Sequence, residues 1–291
     1  MTAVLGALAL AFSGILVRLA HVEPATAATL RCAYALPALA LLARAESRRH
    51  GAPTWRERRL AWAAGVFFAA DLELWHHSIA AVGAGLSTVL ANTQVVVVAL
   101  AAWALLGERP AGRVLLGIPV VLGGVVLLSG VIGAGAYGDD PALGVVTGLG
   151  AAIAYAGFLL VLRAGSADLR RTAWPLFDAT LTAALTSAAI GVALGELDPF
   201  PGWAAQGWLL LLAVSAQVIA WLVIATSLPR LPAALASLLL LVQPGATVVA
   251  GIAILDERPS SLQLAGIAVV LGGIGLAAAG RASRADTSAS T

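Results

Sequence analysis

The stretch Phe67-Phe68-Ala69-Ala70-Asp71-Leu72-Glu73-Leu74-Trp75-His76-His77 sets two carboxylates and two imidazoles into an otherwise apolar run. A charge held at bilayer depth costs about 2.5–3.5 kcal/mol on insertion scales unless it meets a partner or a wet cavity. Asp71, Glu73, His76 and His77 therefore mark a candidate site. On a helix, Glu73 precedes His76 and His77 by three and four positions, so its carboxylate can meet either ring on one face. Asp71 lies about 200° around the helix from Glu73, so one of the two acids must look elsewhere. Imidazole titrates near neutrality, and the chemistry on offer is proton binding beside ligand binding. A plainer reading stays open, with the histidines at headgroup level and the acids as structural ion-pair partners.

Arg31, about 8–9 Å down its own helix, is the natural charge partner, and Glu73 falls at similar depth. A bidentate arginine–carboxylate pair would make both charges tolerable. Arg18 is expected to snorkel to the interface, and Asp178 to be structural. A second constellation joins Asn92, Thr93 and Gln94 to Gln243-Pro244. Polar or interrupted segments at matching places in two halves of a chain point to a transport site; interhelical hydrogen bonding is the plainer account. Trp75 and Trp221 can wall a cavity or sit at an interface. Glu-x-x-His at Glu73–His76 resembles half of a carboxylate-bridged di-metal site, which needs matching carboxylates on other helices. The sequence offers only Asp178. A divalent-metal reading using Asp71, Glu73, His76 and His77 is thus the alternative, and the leading reading calls for no metal and no cofactor. No His-Glu-x-x-His, Gly-x-Ser-x-Gly or phosphate-cradling loop occurs, so the chain is not expected to be an enzyme.

These residues must be held by membrane helices. Hydrophobic residues make up 60% of the 291 and charged residues 11%, and mean hydropathy is +0.94. A soluble domain carries about a quarter charged residues. Apolar runs recur from end to end, the sequence form of an all-α polytopic membrane protein. The net charge of +2 leaves no nucleic-acid footprint. Cys32 alone excludes an internal disulfide. The first apolar run lacks a basic flank and carries Arg18, which fits an uncleaved first helix.

Ten spans are expected, at about 3–20, 25–43, 60–79, 86–106, 114–131, 143–162, 174–195, 207–228, 233–255 and 262–280. Pro24 starts the second, Pro37 kinks it, and Arg44–Arg59 forms the longest polar loop. The tail 281–291 is expected to be disordered. Arginines orient the set. With both termini cytoplasmic, all loop arginines except Arg18 and Arg258 fall inside, while Gly138–Asp140 and Glu196–Asp198 face out. That asymmetry is the positive-inside signal of a cell (inner) membrane protein.

The strongest pattern is an internal repeat. Leu106-Gly107-Glu108-Arg109-Pro110 returns 149 residues on as Leu255-Asp256-Glu257-Arg258-Pro259, and Val120-Val121-Leu122-Gly123-Gly124 returns as Val269-Val270-Leu271-Gly272-Gly273. Gln94 falls on Gln243. An odd number of helices per half turns the second copy upside down, so residues 3–133 and 142–280 read as two inverted five-helix repeats. Inverted repeats are a transporter architecture, with related gates flanking one midplane site.

The paired Gly-Glu-Arg-Pro and Asp-Glu-Arg-Pro motifs, the Gly-Gly helices after them, Arg31 and Gln243-Pro244 resemble the EamA-like branch of the drug/metabolite transporter superfamily. The resemblance covers nearly the whole chain. It implies ten helices in two repeats and export or exchange of small metabolites, often amino acids, by alternating access. Val95 departs from the proline frequent there in the family, and the 67–77 stretch carries more charge than its usual pattern. Proton-coupled transport and an uncoupled facilitator both remain open, as does the oligomeric state. The expected partners are a small-molecule substrate, protons and the lipid bilayer.

Overall fold

In the computed structural model, the described residues are 2–107, 109–110, 112–130, 132, 135–165, 170–223 and 233–289. They are all-helical, with no strand among them. Helices α1 (Thr2–Ala11) and α2 (Ser13–Ala20) are followed by α3 (Pro24–His50), α4 (Trp55–Ala91) and α5 (Gln94–Leu106). The chain continues as α6 (Gly112–Leu128), α7 (Pro141–Gly165), α8 (Ala173–Leu194) and α9 (Trp203–Leu212). A π-helical stretch, Ala213–Ala220, prolongs α9, and α10 (Ala233–Leu255) and α11 (Ser261–Ala289) close the chain. By length and composition, four described helices can cross a bilayer: α3, α7, α8 and Trp203–Val223. A fifth is added if α4 and α5, bent by 44°, count as one broken span.

At 37 residues, α4 would exceed 50 Å if straight, well beyond a hydrocarbon core of about 30 Å. It is not straight. Gly83 has φ 86° and ψ 167°, a conformation essentially confined to glycine, and there the chain doubles back. The Ser87 hydroxyl donates to the Trp75 carbonyl at 3.3 Å, twelve residues earlier. Leu90 and Ser78 both flank Gly148 of α7. The piece after Gly83 leads through Asn92 and Thr93 into α5.

Two helix pairs frame the interior. Helices α3 and α8 run antiparallel, because Thr26 bonds the backbone of Glu196 and Asp198 while Glu46 meets the other end of α8. The Glu46 carboxylate accepts from the backbone N–H groups of Thr172, Ala173 and Trp174 at 2.7–3.1 Å. It thereby fills the unpaired donors of a helix N-terminus and complements its dipole. Helices α6 and α11 also run antiparallel. A Cβ on Gly124 would meet Val270 at 2.6 Å, and one on Gly273 would meet Val121 at 2.7 Å. These contacts are mates, since Gly124 and Val121 each lie 149 residues before Gly273 and Val270. Such reciprocal contacts relate the two helices by a local two-fold.

Two expectations are corrected. The polar stretch Arg44–Arg59 is mostly helix: α3 runs to His50, and α4 begins at Trp55. Alanine, arginine and glutamate keep the helix going until Gly51 ends it. Thr54 and Glu57 then make a reciprocal capping box. At the other end, α11 runs through Ala289 where an unstructured tail from Arg281 is expected, and its alanines and arginines are good helix formers. Glu108 of the first motif and the 229–232 link lie outside the described residues.

One end of the bundle gathers the arginines of residues 44–59 and 163–171. There the Arg58 guanidinium makes a bidentate pair with the buried Asp178 at 3.0 and 3.1 Å. It also sits over the rings of Trp62 and Trp174, and Trp174 Nε1 donates to the Ser47 hydroxyl. Asp178 is thus structural, its charge met by a forked partner.

Candidate functional site

Asp71, one turn after Phe68 on α4, points into an internal cavity of about 80 Å³. Arg31 from α3, Trp75 from α4, Asn92, Gln94 from α5, Trp221 and Gln243 from α10 line the same space. Leu10, Ser13, Thr88 and Tyr155 complete most of the wall. Seven residues singled out in the sequence thus come together, drawn from both halves of the chain. Phe68, Tyr155 and Trp221 close the cavity on its arginine-rich side. Phe68 stacks on Phe158 with centroids 4.8 Å apart, and Trp221 stands edge-on to both.

The expected Arg31–Glu73 ion pair does not form. Arg31 is 3% exposed, and its Nη1 donates to His76 Nε2 at 3.5 Å while Nη2 donates to the Gln217 side-chain oxygen at 3.3 Å. His76 Nδ1 lies 3.1 Å from the Pro24 carbonyl, so a single tautomer, protonated at Nδ1, satisfies both ring nitrogens. Gln217 in turn donates to the Thr180 hydroxyl at 3.1 Å. The guanidinium is thereby held by neutral dipoles. Asp71 lines the same cavity and stays beyond ion-pair distance from the guanidinium. A pairing with Glu73 fails because Glu73 leaves the helix on the opposite side, as the 200° separation requires.

Glu73 is 6% exposed, and both carboxylate oxygens lack a hydrogen-bond partner among the described residues. It stands against Ser187 of α8, whose hydroxyl is also without a partner. His77 does not bond the Glu73 carboxylate. Its Nδ1 lies 2.7 Å from the Glu73 backbone carbonyl, and its Nε2 lies 3.9 Å from Glu196. The four chemical residues of the 67–77 stretch therefore split three ways: Asp71 to the cavity, His76 to Arg31, Glu73 and His77 towards α8. No group of three or more His, Cys, Asp or Glu among the described residues can hold a metal ion, so the stretch does not assemble the di-metal half-site considered above.

The cavity carries unmet hydrogen-bonding capacity. Arg31 Nε, Trp75 Nε1 and Gln94 Oε1 are buried with no partner among the described residues. Each unsatisfied buried group costs about 1–3 kcal/mol, and here two donors and one acceptor belong to residues that line one cavity. Gln217, Thr180, Ser13 and Tyr155 were not singled out in the sequence. For Gln217 a signal existed, a lone amide inside the apolar run 207–228, and it sits in a π-helical stretch of the kind that gathers at functional sites.

The profile of the EamA-like transporter family matches residues 1–130 and 142–279, one copy in each half. The chain belongs to the EamA-like transporter family. It is thus a multi-pass membrane protein of the drug/metabolite transporter type, a transporter and not an enzyme in general terms. No curated protein matches it. A solved crystal structure is similar over 95% of this chain and 95% of its own, with a TM-score of 0.65 and 16% identity. At that identity the likeness speaks for the fold alone.

Proposed function

We propose that this EamA-like protein is a secondary transporter that exports or exchanges small zwitterionic metabolites, amino acids or related compounds, by alternating access. The observation that carries this reading is the cavity with Arg31 and Asp71 on its walls, opposite in charge and not neutralised by each other. A substrate carboxylate fits Arg31 Nε and Trp75 Nε1, and an ammonium group fits Asp71 and Gln94 Oε1. Supplying these partners inside a low-dielectric wall favours binding, because charge-assisted hydrogen bonds are the strong ones. Asn92 and Gln243 add amides from the two halves.

The Gly83 reversal supports counting 55–82 and 84–106 as separate spans. With 2–20, 24–50 and the remaining helices, ten crossings result in the cell (inner) membrane, and the antiparallel α6–α11 pair supports an inverted second repeat. In this reading the arginine-rich end is cytoplasmic. The aromatic group Phe68, Tyr155 and Trp221 closes the inner side of the site, and the Arg31–His76 pair closes its outer side.

Protons bind at Glu73, whose carboxylate as an anion would lack a cationic hydrogen-bond partner among the described residues. The position of Glu73 outside the cavity favours a second reading, an uncoupled facilitator. The deciding experiment is exchange of a mixed amino-acid pool by the purified protein in proteoliposomes, read by mass spectrometry with and without an imposed pH gradient. Accumulation driven by the gradient supports coupling, and exchange that ignores it supports the facilitator. Failure to exchange any zwitterion, in a protein shown to be folded, would overturn the substrate class.

A further inference from the structure

Arginines at the arginine-poor end are few, yet two of them share one cavity. Arg18, in the last turn of α2, and Arg258, between α10 and α11, line one cavity of about 390 Å³. Ala80, Ala81 and Gly83 of α4 form one wall, and the 135–139 segment, with Tyr137 and Asp139, forms another. Among the described residues neither guanidinium has an ion pair, and Asp139 in the same lining remains beyond ion-pair distance from both. Glu257 lies behind the wall, but it is committed elsewhere. Its oxygens accept from the N–H groups of Ala84 and Gly85 at 2.5 and 3.1 Å.

This cavity is in line with the central one. A smaller space of about 150 Å³ shares Arg18 and Ala80 with it, and reaches His76. His76 is bonded to Arg31, which lines the central cavity. From the arginine-poor surface inward, the order is Arg258, Arg18, His76, Arg31. An arginine that merely snorkels to water needs no companion. Two from opposite halves of the sequence, facing one space whose single lining carboxylate, Asp139, pairs with neither among the described residues, form a receptor for a forked oxyanion.

We propose that Arg18 and Arg258 form an anion-binding site at the arginine-poor mouth, which takes a carboxylate or phosphate group. The transport reading bears only on the source of the anion. A free carboxylate makes the site a waiting place for substrate outside the Arg31–His76 partition, and a phosphate held by lipid makes it a headgroup site. In either case the cavity binds an oxyanion through both guanidiniums together.

The test is arginine footprinting of the full chain with phenylglyoxal, read peptide by peptide by mass spectrometry. The probes are acetate and inorganic phosphate, at ionic strength held constant with chloride, in detergent and in nanodiscs with or without phosphatidylglycerol. Modification of Arg18 and Arg258 should slow by the factor 1 + [L]/Kd, about tenfold at ten times Kd, while Arg49 is unaffected. Arg258→Gln should abolish the protection of Arg18, because the site needs both. Protection by free acetate or phosphate assigns the soluble source, and protection only in phosphatidylglycerol nanodiscs assigns the headgroup. Equal rates at Arg18 and Arg258 under every condition would overturn the proposal, as would undiminished protection of Arg18 in Arg258→Gln. Because this readout needs no transport, loss of zwitterion exchange leaves it intact, and the two readings fail separately.

Discussion

Asp71 and Glu73 are two positions apart on one helix and meet different surroundings, so their neutral isosteres should fail differently. Asp71→Asn removes the negative charge facing Arg31 in the cavity. Exchange of zwitterions in proteoliposomes should fall at least about tenfold, the worth of one charge-assisted bond of about 1.5 kcal/mol or more, with the folded yield unchanged. Glu73→Gln leaves the cavity wall alone, and should preserve exchange while abolishing its response to an imposed pH gradient. An unchanged pH response would make Glu73 structural and leave the facilitator. Gln94→Leu and Gln243→Leu test the amides from the two halves: each should reduce exchange, and full activity in the double variant would reduce them to interhelical hydrogen bonds. Much of this site was legible in the sequence, because polar groups in apolar runs are costly enough to be conspicuous. The partner of Arg31 was not. Helical angles separate Asp71 from Glu73, but only packing decides which neighbour each one meets, and a buried guanidinium held by His76 and Gln217 carries no charge pattern to read.

Elements are set here by ends as much as by apolar faces. The sequence ended one span at about 79 and opened the next at about 86, and the structure shows what the break between them costs and what supports it. Glu257, 2% exposed, caps the helix that restarts after Gly83, taking the place of an N-cap side chain with a carboxylate from the other half of the chain. Gly83 and Gly107 offer a controlled comparison. Both have positive φ, but a Cβ on Gly107 meets nothing within 4 Å among the described residues, while one on Gly83 would lie 2.6 Å from Glu257 Oε1. Gly107→Ala should cost only left-handed strain, about 1–2 kcal/mol. Gly83→Ala adds displacement of the buried carboxylate to a strain of about 1–3 kcal/mol. Thermal unfolding in detergent should show the larger loss for Gly83→Ala, and equal losses would mean that Glu257 is no essential cap. The helical extension of 44–59 escaped the apolar pattern because it projects beyond the bilayer. Its signals were the absence of glycine before Gly51 and the capping pair Thr54 and Glu57.

At the scale of the whole molecule, the repeat seen in the motifs returns as reciprocal packing of Gly124 with Val270 and of Val121 with Gly273. Two inverted copies, as proposed above, would present opposite ends to the two sides of the membrane, so orientation rests on the arginines alone. They crowd one end, around the Arg58–Asp178 pair and the Arg171–Glu57 pair. Moving that end to the outside would reverse the usual bias. Labelling with a membrane-impermeant maleimide decides the matter, and the background is low because Cys32 is fully buried. Phe200, 84% exposed, and Asp140, also exposed, lie at the arginine-poor end, whereas Arg49, exposed near the end of α3, lies at the other. In sealed cells, Phe200→Cys and Asp140→Cys should be labelled and Arg49→Cys should not. Opening the cells should then expose Arg49→Cys, which shows that its silence came from the membrane and not from burial. The opposite pattern would place the Arg18–Arg258 cavity on the cytoplasmic side and make the aromatic group of Phe68, Tyr155 and Trp221 the outer closure. The chemistry of both cavities would stand, with the direction of the path between them reversed.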